Sequence, residues 1–416
     1  MTEKNKYIFV LGTNPALSIA EILPALNESE VISFSEEVLY LSSSPIEPSL
    51  IDDLGGTIKI IESIDSIKTE GYDSDNTINV ISEIISKNFD SSERKIHFGI
   101  SIYYLEGPKK MLFRLNKSLK YIYINLKKAC KQKGIKLAFL NIKERTLSSA
   151  SVLKNGLTML EGLEISLIVN GKDILVGRTI SVQDIDEYSR MDVGRPVRDT
   201  LSGTTPPKLA KIMVNLSGKT KNAIMLDPFC GSGTYLQEMY LLGYRNIIGA
   251  DLSEKAVEDT KLNLKWLMEQ SNDTKTKIEV YQSDVKNISN YVSKDSVDAV
   301  VSEVYLGPPL RDYLHEDKLD KLINELTDLY DSTLEELSKV LKEDGVIVLA
   351  LPIFKTKKGN KLLPLLDGIK KSGLRIESPL NNMEEKLQKY FTNRDTVVYS
   401  RPDQLVLREI IILKKG

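Results

Sequence analysis

Along the chain the spacing of apolar positions changes period several times, and these changes divide it before any chemistry is considered. Short apolar or alternating runs bounded by turn residues predict strands over 7–12, 38–41 and 58–61. A helix is expected over 17–26, opened by Pro15 or Ser18, and a turn at Leu54-Gly55-Gly56-Thr57. This β-α-β-β pattern makes a small α+β unit ending near Ser63. Further strands are expected over 96–103, 137–142, 165–170 and 174–179, with one long helix over 111–133. Glycine, proline and alternating charge over 183–199 read as an ordered linker.

Beyond residue 205 strand and helix alternate. Strands are predicted over 223–226, 247–250, 278–282, 297–301 and 345–351, and helices over 206–216, 235–242, 320–342 and 361–372. Residues 396–399 and 404–413 form a hairpin that inserts an antiparallel last strand. The fold class is therefore α/β, with an N-terminal α+β module.

Candidate chemistry concentrates in Asp227-Pro228-Phe229-Cys230-Gly231-Ser232-Gly233-Thr234, between the apolar run 223–226 and the helix 235–242. Two glycines let the backbone approach a ligand, and the helix N-terminus offers free N–H donors. A dinucleotide site also wants a third glycine where this chain has Leu236, which disfavours a nicotinamide cofactor. The next strand ends in Asp251, the usual place for a carboxylate that accepts both ribose hydroxyls. The third ends at Ser283-Asp284-Val285, where a carboxylate meets an adenine amino group. Acidic residues after strands are often only helix caps. Three of them at three successive strand ends instead look like the S-adenosylmethionine site of a class I methyltransferase, with Asp227 toward the methionine end. The expected cofactor set is Thr204, Pro206, Asp227, Phe229, Gly231, Gly233, Thr234, Asp251, Leu252, Asp284, Val285 and Glu303.

Length and composition allow two or three globular domains: 416 residues, 41% apolar and 27% charged. Cys130 and Cys230 give neither a disulfide framework nor zinc-ligand spacing, which suits a reducing cytosol. No signal peptide or membrane anchor is expected. His97 and His315 are too scattered to argue for a metal, and none is expected. The net charge of −2 hides an asymmetry: residues 1–93 hold 5 Lys/Arg and 17 Asp/Glu, whereas residues 94–145 hold 14 and 2. A focused basic field is what a phosphate backbone attracts. Its candidate contacts are Lys117, Lys120, Lys127, Lys128 and Lys131 on the polar face of the long helix, then Lys154, Arg195 and Arg198.

Together Gly177-Arg178-Thr179, Gln183-Asp184-Ile185, Arg195-Pro196-Val197-Arg198-Asp199, Pro206-Pro207-Lys208-Leu209-Ala210 and the glycine turn resemble the THUMP-domain RNA methyltransferases, especially the archaeal and eukaryotic tRNA guanosine-10 N2-methyltransferases. The resemblance runs in order through nearly the whole chain. It implies a ferredoxin-like domain over 1–63, a THUMP domain binding the tRNA acceptor end over 64–180, a linker over 181–205 and a Rossmann-like catalytic domain over 206–416. It also implies a cytoplasmic enzyme acting on tRNA, with a small accessory subunit as a possible partner.

At the catalytic tetrad the chain departs from that pattern. Where such enzymes carry Asp/Asn-Pro-Pro-Tyr after the fourth strand, it has Ser302-Glu303-Val304-Tyr305-Leu306-Gly307-Pro308-Pro309. Aligning strand ends puts Glu303 on the acceptor position and Tyr305 on the aromatic one, so Glu303 holds the amine and Tyr305 stacks on the base. The expected reaction is methylation of guanosine N2 in tRNA, at position 10. The alternatives are an adenine-N6 methyltransferase acting on RNA or DNA, and a tRNA-binding protein without turnover. Reversing the charges of Lys117, Lys120, Lys127, Lys128 and Lys131 should weaken RNA affinity and flatten its dependence on salt; an unchanged slope in a salt titration would locate the RNA elsewhere.

Overall fold

The computed structural model describes every residue except 1–3, 27, 90–94, 141–143, 199–204, 272, 274, 381–383 and 402–403. It divides into two compact units, Met1–Tyr188 and Ser189–Gly416. Among the described residues no helix is long and apolar enough to cross a membrane.

The first unit is built on one eight-stranded sheet. Its strands are β1 (Asn5–Leu11), β2 (Glu30–Phe34), β3 (Val38–Ser43), β4 (Thr57–Lys68), β5 (Lys95–Glu106), β6 (Lys136–Phe139), β7 (Gly162–Asn170) and β8 (Asp173–Val182), in the order β2-β3-β1-β4-β8-β7-β5-β6. Helices α1 (Pro15–Ala25), α2 (Leu50–Asp53), α3 (Ser74–Asn88), α4 (Lys109–Gln132) and α5 (Ser149–Lys154) connect them. Asn14, whose side chain accepts from Leu17 N at 3.1 Å, caps α1, and Pro15 occupies its first turn. Buried Glu21 of α1 accepts from the backbone N–H groups of Gly55 and Gly56, each at 2.8 Å, which pins the Gly-Gly turn. The stripe of α4 that packs on the sheet is Met111, Leu115, Leu119, Ile122, Leu126 and Cys130, leaving its lysines on the outer face.

The boundary expected at Ser63 falls inside β4, and residues on both sides of it belong to the same sheet. Buried Lys59 of β4 pairs with buried Glu164 of β7 at 2.5 Å, and Ser101 of β5 donates to the same carboxylate oxygen at 2.5 Å. Burial pulls the Lys59 ammonium below its ordinary pKa, and the Glu164 carboxylate opposes that shift. Strand β2 and helix α3 were not expected from the sequence. The stretch 148–155 contains α5, capped by Ser148 Oγ accepting from Ser151 N.

The second unit starts inside α6 (Ile185–Gly194), so the stretch read as linker is partly helical. Its strands are β9 (Ile224–Asp227), β10 (Asn246–Asp251), β11 (Lys277–Gln282), β12 (Val297–Glu303), β13 (Leu341–Thr356), β14 (Gly359–Lys361), β15 (Leu374–Glu377), β16 (Val397–Tyr399) and β17 (Val406–Lys415). The main order is β11-β10-β9-β12-β13-β17-β15. β9 to β13 run parallel, and β17 lies antiparallel to both β13 and β15. Helices α7 (Pro207–Leu216), α8 (Thr234–Leu241), α9 (Glu254–Ser271), α10 (Glu316–Val340), α11 (Leu366–Lys371) and α12 (Glu384–Leu387) complete it. Parallel strands are buried on both faces, which is why Ala299, Val300 and Val301 follow one another without polar alternation. The helix expected over 361–372 shortens to α11 because Pro364 cannot sit inside it.

Lys59→Met leaves the Glu164 carboxylate buried without its cation and should destabilise the first unit by about 3–5 kcal/mol in urea unfolding. Adding Glu164→Leu should recover most of that loss.

Candidate functional site

Strand order reverses between β9 and β12, and the carboxyl ends of the strands there open into a cleft of about 1090 Å³. That is where open α/β sheets bind ligands. Its floor is the turn after β9. Gly231 and Gly233 hold φ of 52° and 86°, in the left-handed region that glycine alone enters without strain. Thr260 Oγ1 donates to Gly231 O at 2.7 Å, and Asn263 Nδ2 donates to Ser232 O at 2.8 Å. Asn263 also exchanges two hydrogen bonds of 3.0 Å with the backbone of Val197, tying the Arg-Pro-Val segment to the turn.

The three strand-end carboxylates hold three different environments. Asp251, at the end of β10, accepts from Gly231 N and Ser253 N, each at 2.9 Å, and faces the cleft. Asp284 caps the 3-10 turn Val285–Asn290 by accepting from Lys286 N at 3.0 Å, and it too lines the cleft. Asp227, at the end of β9, is fully buried beneath the turn. Its Oδ1 accepts from Ser302 Oγ at 2.5 Å and from Phe229 N at 3.2 Å, while Oδ2 has no hydrogen-bond partner among the described residues. Burial, opposed by those two hydrogen bonds, pushes its pKa up to about 7.

Of the other expected cofactor residues, Phe229, Gly231, Thr234, Leu252, Val285 and Glu303 line the same cleft, Leu252 with 69% of its surface exposed. Gly233 precedes α8, and Pro206 caps α7. Thr204 and Asp199 lie outside the described residues; Thr205 lines the cleft. Burial pushes the Cys230 thiol well up, so it is no nucleophile.

Also lining the cleft, β12 ends in Glu303, and Tyr305 follows with 54% of its surface exposed. The Tyr305 carbonyl accepts from Tyr330 Oη, which anchors the segment to α10. Both oxygens of Glu303 are engaged by Arg408 of β17. The sequence reading missed Arg408, though an Arg-Glu pair inside the apolar run 404–413 marks two buried charges that need partners. Arg394 pairs with buried Glu409 at 2.6 Å.

The expected RNA contacts separate. Lys117, Lys120, Lys127, Lys128, Lys131 and Lys154 are exposed on the first unit, and Arg198 is exposed on the second. Arg195 is a correction: it is 5% exposed and donates to Thr234 Oγ1 at 3.1 Å, so it braces the start of α8 from inside.

Numbered from β9, the sheet reads 3-2-1-4-5-7-6 with strand 7 reversed, and it carries carboxylates at the ends of its first three strands. This is a class I methyltransferase domain. An RMKL-like methyltransferase domain matches residues 195–358, and a DNA methylase model matches residues 78–262. The chain is 35% identical over 150 residues to the tRNA (guanine(10)-N2)-dimethyltransferase of Methanothermobacter thermautotrophicus, covering 36% of this chain and 39% of that protein. It is 32% identical over 153 residues to the protein of the same name in Methanocaldococcus jannaschii, covering 36% and 38%. A probable tRNA (guanine(10)-N2)-dimethyltransferase of Methanothermococcus thermolithotrophicus is 32% identical over 146 residues, covering 34% of this chain and 78% of that sequence. The chain belongs to the tRNA (guanine(10)-N2)-dimethyltransferase family, although it spans less than two fifths of the length of the first two relatives. The crystal structure of TrmN from Thermus thermophilus shares the fold, with a TM-score of 0.53 and 13% identity over 99% of this chain and 100% of that one.

The raised pKa of Asp227 has a sign. The folded state holds this proton more tightly than the unfolded chain, so its penalty is absent below about pH 4, grows as pH rises toward 7 and is complete above. Asp227→Asn should therefore stabilise the unliganded protein at pH 8 by on the order of 3 kcal/mol and change little at pH 4, read from melting at the two pH values.

Proposed function

We propose that this protein transfers a methyl group from S-adenosylmethionine to N2 of a guanosine in tRNA, at position 10. The carrying observation is the cleft itself, which Asp251, Asp284, Glu303 and the exposed Tyr305 all line. Family membership supports the choice of base.

The residues fit the cofactor. Asp227 Oδ2 is a buried acceptor with no partner among the described residues, as an ammonium group requires, and the space beside Gly231 Cα is open where any side chain would intrude. Asp251 is suited to the ribose hydroxyls and Asp284 to the adenine amine, with Leu252, Val285 and Phe229 as apolar surfaces. Gly231, Gly233 and Thr234 bring backbone close to the ligand, and Pro206, at the start of α7, bounds its methionine side. When bound, S-adenosylmethionine supplies an electrophilic methyl group. Glu303 accepts a hydrogen bond from the target amine, and Tyr305 offers a face for the base to stack on. Catalysis then rests chiefly on holding the amine in a near-attack geometry.

The ferredoxin-like and THUMP parts would share the one sheet of the first unit, with the α4 lysines and Lys154 as phosphate contacts and Arg198 as a further contact in the second unit. A cytoplasmic location and a small accessory subunit complete the reading. The DNA methylase match favours adenine N6 as a second target.

Incubating the chain alone with labelled S-adenosylmethionine and unmodified tRNA, then identifying the labelled nucleoside, tests the proposal. N2-methylguanosine is expected; methyladenosine would favour the second reading. Turnover without added protein argues against an obligatory accessory subunit. Asp251→Ala should weaken cofactor binding in calorimetry, whereas Glu303→Ala should spare it and lower transfer by about 100-fold or more.

A further inference from the structure

The last strand carries two consecutive buried charges that point to opposite faces of the sheet, and the two pairs they form differ. Glu409, fully buried, is held by Arg394, whose Nη1 also donates to Leu363 O at 2.9 Å. That pair does not border the cleft and stitches the hairpin to the unit. Arg408 pairs with Glu303, which lines the cleft.

We propose that Arg408 is the positioning residue of this site, acting through Glu303; the proposal rests on the methyl-transfer reading of the cleft. Arg408 stands opposite Pro352 of β13, and Glu303 stands opposite Ala350 of the same strand. The guanidinium therefore reaches across β13, a span of roughly 10 Å between the backbones of β17 and β12. Arg408 Nε donates to Glu303 Oε2 and Nη2 donates to Oε1 at 3.0 Å. Two parallel hydrogen bonds from a planar group fix the carboxylate's plane as well as its position. The side chains are 7% and 12% exposed, so solvent screens the pair little.

The fork changes what Glu303 can do. Each oxygen keeps a lone pair after accepting from the guanidinium, so the cleft still faces a hydrogen-bond acceptor. With both oxygens engaged by the Arg408 fork, that acceptor is suited to aim an N–H group. An exocyclic amine, whose lone pair is delocalised into the base, needs this kind of alignment. A carboxylate one methylene longer than aspartate, on a strand end without the tetrad's first proline, has more freedom to lose. Arg408 removes that freedom from the side of the sheet, where the family's proline would act through the backbone.

The test compares wild type, Arg408→Gln, Arg408→Lys, Glu303→Gln and the Glu303→Gln/Arg408→Gln double variant. Each is read for methyl transfer to tRNA, for S-adenosylmethionine affinity by calorimetry and for melting temperature. Arg408→Gln should lower kcat about 100-fold while cofactor affinity stays within about twofold, and Arg408→Lys should recover part of the loss. In the Glu303→Gln background the Arg408 change should matter little, because its effect runs through that carboxylate. Melting reads the pair without turnover: Arg408→Gln should lower the melting temperature, and the double variant should regain most of it. Wild-type kcat in Arg408→Gln, losses that multiply in the double variant, or cofactor affinity falling in step with kcat would each overturn the positioning role alone. A wild-type protein that methylates no nucleoside would instead overturn the functional reading, and the positioning role with it.

Discussion

The second unit depends on a carboxylate kept away from water. Asp227 closes β9 at the point where strand order reverses, and from there it fastens both sides of the cleft. Phe229 N ties it to the glycine turn, and Ser302 Oγ ties it to the neighbouring strand that ends in Glu303. A buried acid with one oxygen satisfied and the other bare is a poor choice for stability alone. In the unliganded protein its burial carries a cost that grows as pH rises toward 7.

Much of this unit was legible in the sequence because its signals are local. The glycine turn, the strand ending at Asp251 and the Ser283-Asp284-Val285 segment each stand where backbone geometry demands a particular residue, and the structure gathers all of them on one cleft. The reversed last strand was legible too, from two apolar runs close enough to form a hairpin. Arg408 was not, since its partner lies 105 positions away and two strands distant. Arg195 misled for the opposite reason: charge alone says surface, and only the packing of α8 shows that its guanidinium points inward to Thr234.

The first unit teaches the same lesson on a larger scale. Composition separates an acidic stretch from a basic one with a sharp change near residue 94, and yet β4, from the acidic part, and β5, from the basic part, lie in one continuous sheet. Lys59 and Glu164 meet in its core, so the charge map describes the outer surfaces and says little about where the backbone divides. Helix α3 escaped notice because its polar residues interrupt a stripe that becomes clear only once Ile78, Ile81 and Ile85 are seen to share a face. Its neighbour α4 was legible because twenty-four residues repeat the pattern often enough.

The alternation of Arg408 and Glu409 along β17 has a consequence for assembly. Side chains of a strand change face at every residue, so sliding β17 by one position would turn each charge toward the partner meant for the other layer and leave four buried charges mismatched. The dipeptide therefore acts as a key that admits one register between β13 and β15. Because the strand comes late in the chain, the carboxylate at the mouth of the cleft acquires its fixed orientation only when the sheet has closed correctly around it. The orientation of Glu303 and the closure of the sheet thus rest on the same side chain, Arg408.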